Sequence, residues 1–572
     1  MPINEDVAIL IRKYAVKNAA DYGRAEIGSV LGKVIKAAPG APIPELKAEV
    51  QKAVDLVNGM DKAEVQKEYE PFRAEFEQKA RDTAEKTAKP NFTIEGAEEG
   101  KVATRFPPEP GGYMHIGNLK QCLMSEEIAR IYKGQIFLYF DDTNPEKCRQ
   151  EFVDGIKADL KWMGVDFAKE YYASDYIEKV YECGRRLLRQ GDAYVCACKS
   201  EEVEKGRESK TECAHRRQTP EQNMALFEDM LAGKYDEGQL AVRFAGDMKS
   251  DNAAFRDPTL FRVKKAEHYR QGTKYVVWPT YHINTLVIDN INGVTDVLRD
   301  KNYETWDPVH RSIIAKLGLS APRMHYEARL NIEGETTSKR GTRDLIEKGA
   351  VSGWDDPRLV TVAALRRRGI LPAAIRNFVL RFGMSKTDGV VKLEMLLSEN
   401  KKLIDPIAKH LFFVKDPFKV VVKGEGSRPA KLRLHPSGDS GFRAYETWDE
   451  FYIPREDALA LNAGDKIRLK DLMCVKVTAA GEKEILAEPA PAQEGKVIQW
   501  VSGRDYLECT VLVPEELFDG NGELRKDSLK VLDGYVESYA EKLEQHEAVQ
   551  FERFGYCVLD DKEEGRFIFI SK

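Results

Sequence analysis

The arrangement of residues 101 to 164 restricts the fold more than any other part of the chain. KVATRF predicts a short buried strand, PPEPGGYMHIGNLK (107–120) a loop, and LKQCLMSEEIARIYK a helix with apolar residues at helical spacing. QIFLYFDD (135–142) predicts a second buried strand, and CRQEFVDGIKADLKWMG (148–164) a second helix. Alternating strands and helices predict a parallel sheet that binds its ligands at the carboxyl ends of the strands, where the loop begins.

The bulk properties of the sequence exclude several classes of protein. A chain of 572 residues exceeds the size of one hydrophobic core, so we expect three or more domains. No apolar run approaches the roughly 18 residues of a membrane span, and acidic residues interrupt the N-terminal region where a signal peptide is basic. We therefore expect a cytoplasmic protein. The net charge of −6 decides nothing about nucleic acids, because a local basic groove suffices to bind phosphates.

Changes of composition along the chain suggest domain boundaries. Residues 1 to about 95 are rich in helix formers and carry charges of alternating sign, which predicts a helical unit. KPNFTIEGAEEGK (89–101) has the turn residues and acids of a linker. Beyond Gly349 the pattern is helical again. From about residue 407, short apolar runs alternate with Gly, Pro and Asp turns, which predicts antiparallel β-barrels.

The loop at 107–120 has the composition of a phosphate-binding site. Its prolines fix the backbone, Gly111 and Gly112 let the main chain approach a ligand, and the following helix directs its positive end at that ligand. His115 and Asn118 are three residues apart, so they share a helical face, and both can donate to phosphate oxygens. A structural turn capped by a histidine is the alternative interpretation.

A second phosphate-binding candidate is LNIEGETTSKRGTRDL (330–345). Ser338, Lys339 and Arg340 lie together in a turn-rich segment near a predicted helix start. A lysine on such a loop suits a phosphate that gains charge during transfer. Basic residues on a solvated loop are the alternative, and MSKTD (384–388) is a competing match to the same pattern.

Together the two segments resemble the signature sequences of the class I aminoacyl-tRNA synthetases. The segment at 338–340, and not MSKTD, matches the second signature, because it follows the ARLN strand as the family requires. The surrounding sequence, from about residue 100 to the C-terminus, resembles the glutamyl/glutaminyl branch in its archaeal/eukaryotic form. The segments that carry this likeness are RFPPEPGGYMHIGNLK, LYFDDTNPEK, VVWPTYHINTLVIDNINGVTDVLR, ARLNIEGETTSKR, GWDDPRLVTVAALRRRG, VIQWVS and VQFERFGYCVLDD.

The resemblance implies a multidomain architecture of α/β and all-β parts. A Rossmann-type catalytic domain spans residues 97–345 and contains an acceptor-stem-binding insertion at 195–279. A helical N-terminal extension (1–96) precedes it. A helical connector (346–406) and C-terminal antiparallel β-barrels that bind the anticodon (407–572) follow it.

The same resemblance assigns roles to individual residues. The catalytic residues that it implies are His115, Asn118 and Lys339. The ATP-binding residues that it implies are Pro107, Glu109, Gly117, Arg329, Leu330, Ser338, Lys339 and Arg340. The amino-acid pocket that it implies contains Arg105, Asp141 at the α-ammonium group, Tyr281 and Arg299. The sequence departs from the family pattern in having Asn118 for a histidine, Thr336 and Thr337 for Lys and Met, and Tyr139 where many relatives have arginine.

The choice between glutamate and glutamine depends on Arg299. Glutamyl enzymes of this branch carry an arginine at that place, and glutaminyl enzymes typically do not. A substrate with two carboxylates needs two cationic partners, which Arg105 and Arg299 supply. A neutral amide would leave one buried arginine without a counter-charge. We therefore predict glutamate, and which arginine takes which carboxylate stays open.

Cys196, Cys198, Cys213 and His215 form a candidate metal site. Three thiols and an imidazole match a tetrahedral structural zinc site in ligand type and number, although the Cys-x-Cys spacing is tighter than usual. A set of unligated cysteines in a reducing compartment is the alternative. The resemblance places this cluster in the acceptor-stem-binding insertion, where some glutamyl enzymes carry zinc.

The sequence therefore predicts an ATP-dependent glutamate–tRNA ligase that acts with Mg²⁺ on glutamate and tRNA(Glu), with tRNA(Gln) as an open second substrate. We expect a monomer whose N-terminal helices are a docking site for another protein. The alternatives are a glutaminyl-tRNA synthetase on the same scaffold, a non-catalytic tRNA-binding paralogue, and another nucleotidyltransferase with the same histidine motif. The β-rich C-terminal region disfavours the last of these.

Overall fold

The computed structural model describes residues 5–37, 42–87, 92–424, 426–437, 441–491 and 495–572. The chain forms two compact units, Met1–Pro90 and Asn91–Lys572. Among the described residues, no helix is both long enough and apolar enough to cross a membrane.

The N-terminal unit is helical, as predicted. Its third helix shows why: Leu46, Val50, Val54 and Val57 recur every three or four residues and are all buried, so one face packs into the core of this unit. An ion pair of 2.6 Å between Arg12 and Glu68 joins the first helix to the fourth. The helices of the unit are Glu5–Tyr22, Ile27–Ala37, Ile43–Asn58 and Lys62–Thr87.

The segment predicted as a linker begins at residues 89–91, which lie outside the described residues, and continues into the second unit. There Phe92 and Ile94 are buried against Met124 and Ile128, and the Ile94 N–H donates to the Tyr132 hydroxyl at 2.8 Å. The apolar residues in this stretch anchor it, so it does not act as a free tether beyond Phe92.

The predicted parallel sheet is confirmed. The strand Ala103–Phe106 pairs in parallel with Gln135–Phe140, which pairs in parallel with Lys169–Tyr172. A second parallel pair, Asp296–Asp300 with Arg323–Glu327, lies beside the first strand, where the Thr295 N–H donates to the Ala103 carbonyl at 2.9 Å. The apolar strands are covered by helices, and their carboxyl ends meet at one edge of the sheet.

The remaining elements of the catalytic region and the connector are as follows. An antiparallel sheet covers the predicted insertion but begins two residues before it, and it contains the strands Ala193–Cys196, Ala241–Phe244, Thr259–Val263 and Val277–Pro279. The α-helices are Ile116–Ile131, Gln150–Trp162, Ile177–Gln190, Ser200–Glu208, Pro220–Leu231, Tyr281–Ile291, Asp307–Leu317, Lys339–Glu347, Val362–Arg367, Pro372–Leu380 and Leu393–Ile404. Short 3₁₀ helices occur at Ala173–Tyr176, Ala214–Arg217, Ala253–Phe255 and Lys301–Trp306.

The C-terminal region is β-rich, and each of its two large sheets has seven strands. Most neighbouring strands are antiparallel, as predicted, but each sheet also contains two parallel pairs. The first sheet contains Lys409–Leu411, Phe413–Lys415, Tyr506–Pro514, Leu529–Glu537, Ala548–Phe551, Gly555–Asp561 and Arg566–Ser571. The second contains Pro417–Val422, Glu450–Pro454, Lys466–Leu469, Met473–Ala480, Glu484–Ala490, Lys496–Ile498 and Val501–Ser502. The pairs Arg428–Arg433 with Phe442–Thr447 and Leu330–Ile332 with Gly389–Val391, the helix Arg455–Ala458 and the 3₁₀ turn Ser538–Lys542 complete the fold.

The fold class predicted from the sequence is therefore confirmed, with a parallel α/β region, helical segments and barrel-like β-sheets. The exact limits of the catalytic domain, insertion and connector stay predictions.

Candidate active site

A cavity of about 530 Å³ opens at the carboxyl ends of the parallel strands. All but two of the residues predicted for catalysis, ATP and the amino acid line it. They are Pro107, Glu109, His115, Gly117, Asn118, Asp141, Tyr281, Arg299, Arg329, Leu330, Ser338 and Lys339. Arg105 does not line the cavity and is buried in the strand Ala103–Phe106, and Arg340 is an exposed residue of the helix Lys339–Glu347.

His115 is both the helix cap and a cavity residue. Its Nδ1 accepts from the main-chain N–H groups of Gly117 (3.1 Å) and Asn118 (3.3 Å), which starts the helix Ile116–Ile131. Because Nδ1 accepts, the proton of the neutral imidazole is on Nε2. Burial, with Lys339 and Arg329 nearby, lowers the pKa of His115 to about 3, so the ring is a neutral donor at pH 7.

Asn118 completes this cap. Its Oδ1 accepts from the His115 main-chain N–H at 3.4 Å, so its carboxamide nitrogen keeps both protons for donation. A Cβ at Gly117 would lie 3.0 Å from the His115 ring, which is why glycine separates the two residues. The capping interpretation and the phosphate-binding interpretation of this loop are therefore compatible.

The two signature segments meet across the cavity. Lys339 Nζ donates to the main-chain carbonyl of Glu109, and Arg343 donates to that of Gly111. A Cβ at Gly112 would lie 3.0 Å from the Trp354 ring and 3.4 Å from Lys339 Cδ, so glycine admits the lysine stem. Burial lowers the pKa of Lys339, although Glu109 opposes that effect.

The competing segment MSKTD lies beside this site but does not line the cavity. The Ser385 carbonyl accepts from the Ala328 N–H at 2.8 Å, and Lys386 pairs with Glu304 at 2.8 Å. Of the two segments, the one with Lys339 therefore lines the cavity.

Asp141 follows the strand Gln135–Phe140 directly. Its Oδ1 accepts from the Thr143 hydroxyl at 3.1 Å and from Asn284 Nδ2 at 3.0 Å. Burial, together with the nearby charge of Glu109, raises the pKa of Asp141 to about 7. A buried carboxylate in this state favours a cationic ligand, because such a ligand stabilises its charged form.

The two arginines predicted for the amino-acid pocket have different surroundings. Arg105 Nε lies 3.2 and 3.3 Å from the two carboxylate oxygens of Asp289, and its Nη2 donates to Thr285 at 3.5 Å. Burial alone would lower the pKa of Arg105, but Asp289, Tyr281 and Tyr171 together outweigh burial and raise it. Its Nη1 is buried and has no hydrogen-bond partner within the described part of the chain.

Arg299 has only neutral partners among the described residues. Its Nη1 donates to His310 Nδ1 at 3.2 Å, its Nη2 lies 2.9 Å from the Met324 sulfur, and its guanidinium is 5.9 Å from the centre of the Tyr281 ring. No carboxylate of the described residues is within ion-pair distance of it, although it is only 2% exposed. The cavity wall therefore carries a buried positive charge that the protein does not neutralise.

Comparison with known proteins agrees with this geometry. The family model "tRNA synthetases class I (E and Q), catalytic domain" matches residues 101–405, and two models of the anti-codon binding domain of the same family match 408–488 and 497–560. The glutamate–tRNA ligase of Nitrosopumilus maritimus is 37% identical over 99% of this chain and 100% of the relative. That of Pyrococcus furiosus is 36% identical over 99% of both chains. The chain belongs to the glutamate–tRNA ligases of the class I synthetases.

The predicted family is thus confirmed, and the synthetase contains pocket residues that sequence reasoning missed. Lys120 Nζ donates to the Ala328 carbonyl at 2.6 Å and lies 3.5 Å from Glu327. Burial raises the pKa of Glu327 to about 7, although Lys120 opposes that effect. A signal existed for Lys120, because it lies four residues after Ile116 on the buried face of the helix Ile116–Ile131.

Tyr139, whose consequence the sequence left open, supports the same wall of the synthetase. It is fully buried, stacks on Tyr171 with ring centres 5.1 Å apart, and its hydroxyl accepts from Asn284 Nδ2 at 2.7 Å. Asn284 is the residue that also donates to Asp141. A tyrosine therefore occupies this position as a neutral partner, where an arginine would add a further buried charge.

The four predicted metal ligands come together in the synthetase. The ligand atoms of Cys196, Cys198, Cys213 and His215 all lie within 4.8 Å of one another. Cys213 Sγ is 3.2 Å from Cys198 Sγ, 3.8 Å from Cys196 Sγ and 3.0 Å from His215 Nδ1. This spacing suits the four corners of a tetrahedral zinc site, where each sulfur is about 2.3 Å from the metal.

Proposed function

We propose that this cavity joins glutamate to ATP and then passes the glutamyl group to tRNA(Glu). The glutamate α-carboxylate attacks the α-phosphate of ATP, which gives glutamyl-adenylate and pyrophosphate. The observation that carries the proposal is Arg299, a buried cation without a protein counter-charge, in one cavity with His115 and Lys339.

The phosphate side of the reaction depends on donors that are already in place. Neutral His115 donates from Nε2, Asn118 donates from its carboxamide nitrogen, and Lys339 supplies a positive charge. Charge grows on the α-phosphate oxygens in the transition state, and fixed donors in a buried site stabilise that charge more than they stabilise the ground state. No protein group changes covalently, so positioning and electrostatics account for the rate. ATP enters with Mg²⁺, which offsets phosphate charge when it is bound.

The amino-acid side of the reaction depends on where charge persists. The α-carboxylate loses its charge when the adenylate forms, whereas the side-chain carboxylate keeps it. A cation that the protein leaves uncompensated, as it leaves Arg299, therefore suits the side-chain carboxylate. Asp141 takes the α-ammonium group, since a buried carboxylate gains most from a cationic ligand.

In the second step the 2′ hydroxyl of the terminal adenosine of tRNA attacks the glutamyl carbonyl of the adenylate, which forms the ester, breaks the anhydride bond and releases AMP with the hydroxyl proton. We assign anticodon binding to the C-terminal sheets, in accordance with the two family models that match them, and acceptor-stem binding to the inserted sheet. We propose a cytoplasmic monomer, with tRNA(Gln) as a candidate second substrate. The N-terminal helices, with exposed Ile9, Ile43 and Leu56, stay the expected docking site for another protein.

The zinc proposal concerns stability and not chemistry. Cys196, Cys198, Cys213 and His215 fit a structural zinc ion in number, type and spacing of ligands. The ion would hold together the segment between Cys198 and Cys213, whose helix Ser200–Glu208 has no buried residue. Metal analysis of protein purified without added zinc should give about one equivalent. A value near zero contradicts the proposal.

Charging assays test the function directly. Purified enzyme, ATP and tRNA(Glu) or tRNA(Gln) should give product with glutamate and not with glutamine. Lys339→Ala should lower charging by about 10²- to 10³-fold, the usual effect of losing one transition-state donor, and should leave tRNA binding nearly unchanged. Lys386→Ala, in the competing segment outside the cavity, is the matched control and should keep full activity. A preference for glutamine, or equal activities of the two variants, would refute the assignment.

A further inference from the structure

A buried histidine, His310, and a partly buried one, His282, lie behind Arg299 and outside every role assigned so far. Arg299 Nη1 is 3.2 Å from His310 Nδ1, and His310 Nε2 is 3.2 Å from His282 Nδ1. His310 is 1% exposed and comes from the helix Asp307–Leu317, whereas Arg299 comes from the strand Asp296–Asp300. The helix therefore contributes one polar side chain to an otherwise apolar buried face, and that side chain meets the arginine.

The positions of the protons in the hydrogen-bonded series Arg299–His310–His282 follow from which atoms can donate and which must accept. Arginine only donates, so His310 Nδ1 must accept, and its proton is on Nε2. That proton is donated to His282 Nδ1, which places the proton of His282 on its own Nε2. Both rings are therefore neutral. Burial, then Arg299 and His282, lower the pKa of His310 well below its usual value, and burial, then Arg207 and Arg299, lower that of His282 to about 4.

This arrangement holds the guanidinium without neutralising it. His310 and Met324 fix Nη1 and Nη2, and the Tyr281 ring lies 5.9 Å away, so rotation of the planar group is restricted. A carboxylate in place of His310 would hold the group equally well but would cancel its charge. The contrast is Arg105, which Asp289 both holds and neutralises.

We propose that His310 is a positioning residue that orients Arg299 for the substrate's side-chain carboxylate and, as a neutral acceptor, preserves the positive charge that selects glutamate over glutamine. The inference rests on the proposed function of the cavity. It adds His310, which does not line the cavity, to the residues that determine specificity. It attributes the preference for glutamate over glutamine to the neutral state of this histidine.

Three substitutions of one residue separate orientation, charge and packing. His310→Asn places an amide oxygen at about the position of Nδ1 and should keep KM for glutamate within about threefold. His310→Leu removes the acceptor and should raise KM for glutamate by about tenfold or more, with KM for ATP within about twofold. His310→Asp keeps the acceptor but adds a charge, so it should raise KM for glutamate at least as much and narrow the preference for glutamate over glutamine.

The readouts distinguish a positioning role from a structural one. Melting temperature and tRNA binding identify variants that fail to fold, and the Asn and Asp variants have nearly the same shape. Equal KM values for the Leu and Asn variants would overturn the orienting role, and equal amino-acid preference in the Asn and Asp variants would overturn the role of neutrality. A parallel rise in KM for ATP would indicate general damage and would also count against the inference. If the unmodified enzyme does not charge glutamate at all, the proposed function has failed, which is a separate result.

Discussion

Arg105 and Arg299 are two buried arginines on neighbouring parallel strands, and the protein treats them in opposite ways. Arg105 is fully buried and forms an ion pair with Asp289, whereas Arg299, at 2% exposure, has a histidine and a methionine as partners. A buried ion pair is internally complete, but a buried cation with neutral partners has a strong tendency to bind an anion. Residue type and burial therefore do not distinguish a structural arginine from a binding one. The charge of the neighbour does.

The largest expected effect is the loss of unfolding free energy when the ion pair of Arg105 is removed. Arg105→Met leaves the Asp289 carboxylate buried without its partner, which costs about 3–5 kcal/mol of unfolding free energy. Chemical denaturation followed by tryptophan fluorescence should show an earlier transition. Arg130→Met, which removes an exposed arginine paired with Glu127, is the control and should change the unfolding free energy by less than about 1 kcal/mol. Coincident unfolding transitions for the two variants would contradict the expectation that the buried ion pair of Arg105 stabilises the fold more than an exposed one does.

The next effect concerns Arg299. Arg299→Met removes no ion pair, so the unfolding free energy should stay the same or rise, while KM for glutamate should increase about 100-fold through loss of a charge-assisted contact. Amino-acid saturation curves in the charging assay, with KM for ATP measured in parallel, check this. An unchanged KM for glutamate would mean that the uncompensated charge has another purpose.

The pH dependence of glutamate binding sharpens the comparison further, because Asp141 is the anion of the same pocket. Its pKa, raised by burial and Glu109 to about 7, makes the neutral form dominant as pH falls through 7. The substrate ammonium then loses its counter-charge, so KM for glutamate should be about tenfold higher at pH 6 than at pH 8. Asp141→Asn should give a high KM that does not change over this range. A profile as steep in that variant would assign the titration to another group, such as Glu327.

The smallest expected effect concerns Asn284, which donates to both Asp141 and the Tyr139 hydroxyl. Tyr139→Phe removes the hydroxyl that accepts from Asn284, which should raise KM for glutamate a few-fold, as expected for about 1 kcal/mol of lost hydrogen bonding. Tyr171→Phe is the matched control, since its buried hydroxyl has no hydrogen-bond partner among the described residues and its ring stacks on Tyr139. Steady-state charging kinetics should separate the two. Equal changes in both variants would show that the Tyr139 hydroxyl has no specific role in supporting Asn284.

Much of the site could be predicted because its signals are local. The strand, loop and helix around His115, and the segment that carries Lys339, were identified from composition and order along the chain. The metal cluster was predicted from the type and number of its ligands, three cysteines and a histidine, and its four ligand atoms do lie together. Signals for Lys120 and His310 existed as polar residues on apolar helical faces, but such a pattern does not say what the side chain meets.

The sequence by itself determined the parallel sheet, because apolar periodicity and turn residues act over a few positions, and its resemblance to the class I synthetases identified the family and the predicted residues that line the cavity. Only the tertiary structure decided how the two arginines differ. Arg105 pairs with a carboxylate 184 residues away, and Arg299 meets an imidazole from another element. Electrostatic energy depends on the distance between charges and on their burial, and both are defined only in the folded structure. The identity of a charged residue is therefore local information, but whether its charge is available to a substrate is not.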